Sequence, residues 1–144
     1  TIRKPRSDSE NSLTLTSQRC NINPFKPVRH GDAGPEAIIQ ADIIKKLKAH
    51  DWYVKVMVGN MFQHGIPDLF AAHRKYGQKW IEVKNPLKFS FTDRQQENFP
   101  LMEAAGVGIW ILFSDSDEEL GKLFKPANWL EVYLKWVNNA NGKR

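Results

Sequence analysis

The stretch from His64 to Lys84 constrains the chain most: His-Gly-Ile-Pro-Asp-Leu-Phe, a polar break at residues 74–78, then Lys-Trp-Ile-Glu-Val-Lys. It reads as two antiparallel strands joined by a turn, with Asp68 opening the first and Glu82 and Lys84 closing the second. Successive side chains of a strand point to opposite faces, so Trp80, Glu82 and Lys84 share one face and Ile81 and Val83 the other. The apolar face can dock on a core helix, which leaves two carboxylates and one ammonium gathered at one end of a hairpin. Asn85-Pro86 ends the second strand at once. Hard cations such as Mg2+ take oxygen ligands, one or two carboxylates together with waters and phosphate oxygens, so the arrangement suits metal chemistry on a phosphodiester. A plainer reading of the same residues is a turn aspartate capping local amides and a cross-strand ion pair on a solvated face.

What surrounds the hairpin narrows the choice. With 144 residues the expectation is a single domain with a real core. Twenty-one Lys and Arg against sixteen Asp and Glu give a formal charge of +5, which suits a polyanion partner, although ribosomal and membrane-surface proteins share that balance. Cys20 is the one cysteine, which excludes an intramolecular disulfide and a multi-cysteine zinc site and points to a reducing compartment. No apolar run approaches the ~20 residues of a membrane span, and the N-terminal residues lack the apolar core of a secretion signal. A soluble cytoplasmic protein without a membrane partner is expected.

Residues 1–33 are rich in Ser, Thr, Asn and Pro, lack lasting periodicity and carry more base than acid, so they read as an irregular basic arm. That arm is either loosely packed or laid along a nucleic-acid backbone or partner subunit. A domain over residues 34–144 follows. Pro35 suits the first position of a helix running to about His50, with Ile39, Ile43 and Leu47 inward and Glu36 on the same stripe. Glu36 favours the helix N-terminus electrostatically. Val54, Val56 and Val58 alternate with Tyr53, Lys55 and Met57 as the inward side of a strand. In the polar loop that follows, Asn60, Gln63 and His64 are candidate DNA contacts or, for His64, a general base, against the alternative of solvated loop residues. Thr92 and Gln95 have the spacing of a capping box, and Pro100 predicts a kink or two shorter helices before a stop at Gly106. Lys88 and Arg94 are candidate phosphate contacts on the rim. Residues 107–113 form a nearly continuous apolar run, expected to be a central strand covered on both faces. The acidic residues 115–119 read as a solvated loop and residues 122–125 as a short edge strand. A last helix to about Val137 is expected to turn Leu130, Tyr133 or Leu134, and Val137 inward, with Trp129 and Trp136 in the core or an interface and not base-stacking platforms.

Gly65-Ile66-Pro67-Asp68-Leu69 followed by Glu82-Val83-Lys84 resembles the PD-(D/E)XK nuclease superfamily, and the Gly-x-Pro-Asp-Leu form looks most like its virus-type replication-repair nuclease (VRR-NUC) branch. The resemblance covers about residues 34 to 113 and implies an α/β, restriction-endonuclease-like αβββαβ core with a central mixed sheet flanked by helices. It implies one or two Mg2+ or Mn2+ ions held by Asp68, Glu82, Glu36 and the Val83 backbone carbonyl. Lys84 would orient or deprotonate the attacking water, and Gln95 would lie near the scissile phosphate. The implied activity is metal-dependent DNA endonuclease, structure-selective on branched DNA such as Holliday junctions. Small bacterial and phage relatives act as homodimers. A restriction-like or homing endonuclease shares the same core, and a nuclease fold turned inactive nucleic-acid-binding subunit is the non-enzyme alternative.

Overall fold

The computed structural model describes residues 34–58 and 65–142. Pro35–Arg144 is one compact unit. Its elements are α1 (Pro35–Ala49), β1 (Tyr53–Val56), β2 (Leu69–His73), β3 (Gly77–Val83), α2 (Asp93–Ala104), β4 (Ile109–Leu112), a short α3 (Asp117–Leu120), a 3-10 turn over Gly121–Phe124, and α4 (Trp129–Gly142). The first six elements follow the expected αβββαβ order. No described helix is long and apolar enough to cross a membrane.

The sheet has the order β1-β2-β3-β4. β1 with β2 and β2 with β3 are antiparallel, whereas β3 and β4 run parallel, so the sheet is mixed. A parallel neighbour requires a crossover, and α2 supplies it. Two cores result, one on each face. On one side Ile43 and Leu47 of α1 pack on Leu69, Ala71, Ile81, Val83, Trp110 and Leu112. On the other, Phe91 and Phe99 pack with Ile109, Ile111 and Trp129. The alternation along β4 explains the division, with Ile109 and Ile111 facing one layer and Trp110 and Leu112 the other.

Several details depart from the sequence expectation. β4 is buried on both faces but lies at an edge of the sheet, not in its centre. Its open side is satisfied by Asn128, whose Oδ1 accepts from the Ile111 N–H at 2.7 Å and whose Nδ2 donates to the Ile111 carbonyl at 3.2 Å. One side chain thereby replaces a rung of the ladder that a further strand would have supplied. Val56 and Val58 are 43% and 75% exposed, because β1 is the opposite edge and only Val54 reaches the core. Residues 121–124 coil into the 3-10 turn and bury Leu123 where an edge strand was expected. The acidic segment is likewise not a bare loop. Ser116 caps α3, Glu119 Oε1 accepts from the Phe113 N–H, and Asp117 pairs with Lys46 at 2.9 Å.

α2 remains one helix through Pro100, which is exposed, so the carbonyl a turn earlier can turn toward water. It ends as expected at Gly106, whose φ of 91° is the left-handed conformation that closes a helix. Gly106 N–H donates to Glu103 O and Val107 N–H to Met102 O, the paired bonds of a Schellman ending. α4 presents Trp129, Val132, Tyr133 and Trp136 to the core, while Leu130 and Leu134 are about half exposed. Trp129, Tyr133 and Trp136 are inward as expected, whereas Leu130 is not, and the stripe follows the aromatic residues.

Candidate active site

The β2–β3 register pairs Leu69 with Ile81. Continued by one step, it sets Asp68 opposite Glu82 on the same face of the hairpin, where cross-strand neighbours stand roughly 5 Å apart at Cβ. Asp68 itself is held on the sheet. Its carbonyl accepts from the Met57 N–H at 2.8 Å, and its Oδ2 accepts from the Val83 N–H at 2.9 Å. The hairpin thus places its first carboxylate against the backbone of the strand carrying the second.

Glu82 and Lys84 are not on a solvated face. They are 2% and 4% exposed, covered by α2 and the aromatic layer. Lys84 Nζ lies 3.0 Å from Glu82 Oε2, donates to Gln95 Oε1 at 3.1 Å, and sits 4.8 Å from the centre of the Phe91 ring. Gln95 Nε2 donates to the same Glu82 Oε2 at 2.7 Å. Gln95 is held in turn by the capping box, with its Oε1 accepting from the Thr92 N–H and its own N–H donating to Thr92 Oγ1. Local helix chemistry and the site therefore use the same glutamine. Gln96 points elsewhere, donating to the Phe91 carbonyl and accepting from the Tyr133 hydroxyl.

The second oxygen of Glu82, Oε1, is buried with no hydrogen-bond partner among the described residues. A carboxylate oxygen taken out of water and left unpartnered is costly, and its electrostatics reflect this. Burial, with repulsion from Asp68, pushes the Glu82 carboxyl up to about 7 despite Lys84 and Gln95. Burial also raises Asp68, with the Val83 N–H and Lys84 opposing and Glu36 adding to the rise. Two carboxylates that repel one another around a buried open oxygen are a chemical fit for a bound cation.

Glu36 reaches the same end of the hairpin from the first turn of α1, where its Oε2 accepts from the Asn85 N–H at 3.3 Å. Among the described residues no group of three or more His, Cys, Asp or Glu side chains is arranged to hold a metal ion. The carboxylates form a pair, Asp68 and Glu82, with Glu36 turned onto backbone beside them. Mg2+ requires no more than one or two carboxylates when waters and substrate oxygens complete its shell.

Of the remaining candidates, Lys88 and Arg94 are exposed near this end of the molecule, and Asn60, Gln63 and His64 lie outside the described residues, as does the arm of residues 1–33. Sequence reasoning missed two contributors. Phe91 supplies the ring beside Lys84. Asn98, three residues after Gln95 and so on the same side of α2, donates to the Gly65 carbonyl at 2.8 Å and ties the Pro-Asp segment to the helix. Gly65 permits that approach. Its φ is 77°, and a Cβ there would lie 2.5 Å from the Arg94 carbonyl oxygen.

No family profile matches the chain, and no curated protein matches it. A solved structure described as a VRR_NUC domain does, with a TM-score of 0.53 and 18% sequence identity, over 65% of this chain and 97% of that one. At such identity the likeness is one of architecture alone: the chain has a VRR-NUC-like fold.

Proposed function

We propose that the protein is a metal-dependent DNA endonuclease that hydrolyses phosphodiester bonds and selects branched DNA. The observation that carries this reading is Glu82, almost fully buried, bonded on one oxygen to Lys84 and Gln95, open on the other, and opposite Asp68. A structural ion pair leaves no reason for the open oxygen or for a second carboxylate beside it. In a nuclease both have one.

Asp68, Glu82 and the Val83 carbonyl are the groups that would hold Mg2+ or Mn2+, with Glu36 in reserve at the Asn85 N–H. When bound, such an ion supplies a more acidic water and positive charge against the developing phosphorane. Lys84, beside Glu82, would orient the attacking water or steady negative charge on the phosphate. Gln95 fixes the direction of both side chains. The Phe91 ring excludes water from the ammonium's far side, which strengthens every interaction within. Lys88, Arg94 and, in the loop before the hairpin, Asn60, Gln63 and His64 are the proposed contacts to the DNA backbone. A homodimer would place two such sites across a junction.

The test is incubation of linear, flapped, forked and four-way DNA with Mg2+ or Mn2+. Branched substrates should be cut in preference, and Asp68→Asn should lose most of the cutting. Cutting at one sequence whatever the branching would favour a restriction-like enzyme, and binding without cutting an inactive subunit.

A further inference from the structure

A cleft of about 740 Å3 opens between residues 122–128, α4 and the rings of Phe89 and Phe113. That is within the usual range of small-ligand sites, roughly 300–1,000 Å3. Phe89, Phe113 and Trp136 form its aromatic walls, and Lys122, Lys125 and Lys135 line it against a single carboxylate, Glu131. Phe89 and Phe113 meet edge to face with centroids 5.2 Å apart, and the Lys122 ammonium lies 5.4 Å from the Phe113 ring. Lys122 is paired with Glu119 at 2.7 Å and Lys135 with Glu131 at 3.5 Å. Lys125 is exposed and forms no ion pair among the described residues.

Two packed contacts connect the lining of the cleft with residues of the candidate active site. Phe89 packs on Phe91 at 6.1 Å, and Phe91 is the ring beside the Lys84 ammonium. Phe113 follows β4 directly, and the carbonyl of its neighbour Leu112 accepts from the Lys84 N–H at 3.0 Å.

We propose that this cleft holds an unpaired nucleotide of the DNA substrate, its base against Phe89, Phe113 and Trp136 and its phosphate at Lys125. The inference rests on the nuclease reading and gives branch selectivity a physical source. A base paired and stacked in a duplex cannot enter without being extruded, whereas a base at a flap, gap or junction is already partly free. Aromatic faces accept any base, so the cleft selects for lack of pairing and not for sequence. Net positive charge along the lining favours the polyanion over an acidic peptide of similar size only where aromatic stacking contributes as well, and this cleft offers both.

The full chain is mixed with hexathymidylate carrying one 5-iododeoxyuridine, in Ca2+ to hold the DNA uncut, irradiated, digested and examined by mass spectrometry. Crosslinks should fall on peptides bearing Phe89, Phe113 or Trp136. Phe89→Ala should lower affinity for this probe by about five- to a hundredfold, and Lys125→Ala should reduce the salt dependence of binding by about 0.7 in log-log slope. The ratio of single-strand to duplex affinity should fall in both. Crosslinks confined to other peptides, or equal losses on duplex and single strand, overturn the inference. Cutting without crosslinks in the cleft ends the inference alone, whereas crosslinks there in a protein that cuts no DNA end the nuclease reading and leave a single-strand binding site.

Discussion

The metal-free protein should become less stable as pH rises from about 4.5 to about 7, because of one side chain. Glu82 has an ordinary value of 4.5 and is pushed up to about 7 in the fold. Between those values the native state keeps a proton that the unfolded chain has released, so stability declines with rising pH and the loss is complete above 7. At about 1.4 kcal/mol per pH unit the gap is worth about 3 kcal/mol, a large share of the roughly 5–15 kcal/mol typical of a domain. Asp68, raised by burial as well, acts in the same direction. Urea unfolding in EDTA across this window measures the decline. Glu82→Gln keeps an acceptor for Lys84 and Gln95 but no titrating proton, so most of the slope should vanish and the variant should exceed the wild type in stability above about pH 7. A wild type whose stability rises through the window, or a variant with the same slope as the wild type, would refute the argument that burial and Asp68 outweigh Lys84 at this carboxylate.

Other perturbations have equally definite outcomes. Adding Mg2+ near neutral pH should raise the unfolding free energy by about 2.7 kcal/mol at a hundred times its dissociation constant, and Asp68→Asn should remove that increment, as read by thermal melting with and without EDTA. Gly65→Ala should destabilise by about 1–3 kcal/mol from backbone strain alone. The clash of the new Cβ with the Arg94 carbonyl oxygen adds to this, and cleavage should fall further than stability because Asp68 is displaced. Asn128→Ala leaves both the N–H and the carbonyl of Ile111 unpaired at a buried edge and should cost about 2–4 kcal/mol in urea unfolding.

The hairpin was legible because its period of two, its polar break and its abrupt Asn85-Pro86 ending all agree. The Thr92–Gln95 spacing was legible for a similar reason, since a capping box is local chemistry, and it carried Gln95 into the site with it. What the sequence could not convey was burial. The alternation that places Glu82 and Lys84 on one face reads the same whether that face meets water or Phe91 and α2, and only the tertiary fold decides. β4 illustrates a second limit. Four consecutive buried apolar residues, Ile109 to Leu112, look like a central strand, yet the edge is closed by the side chain of Asn128, which in sequence reads as an ordinary residue before a helix. The outward turn of Leu130 on α4 has the same origin, because Trp129, Tyr133 and Trp136 pack on the aromatic layer around Phe91.

The most direct measurement is cleavage of four-way and linear DNA by the wild type and by Asp68→Asn, with Mg2+ and with EDTA. Cutting that requires the metal, prefers the branched substrate and falls by a factor on the order of 10^2 to 10^4 in the variant is the predicted result. Cutting that persists in EDTA, or that Asp68→Asn leaves intact, would contradict the account.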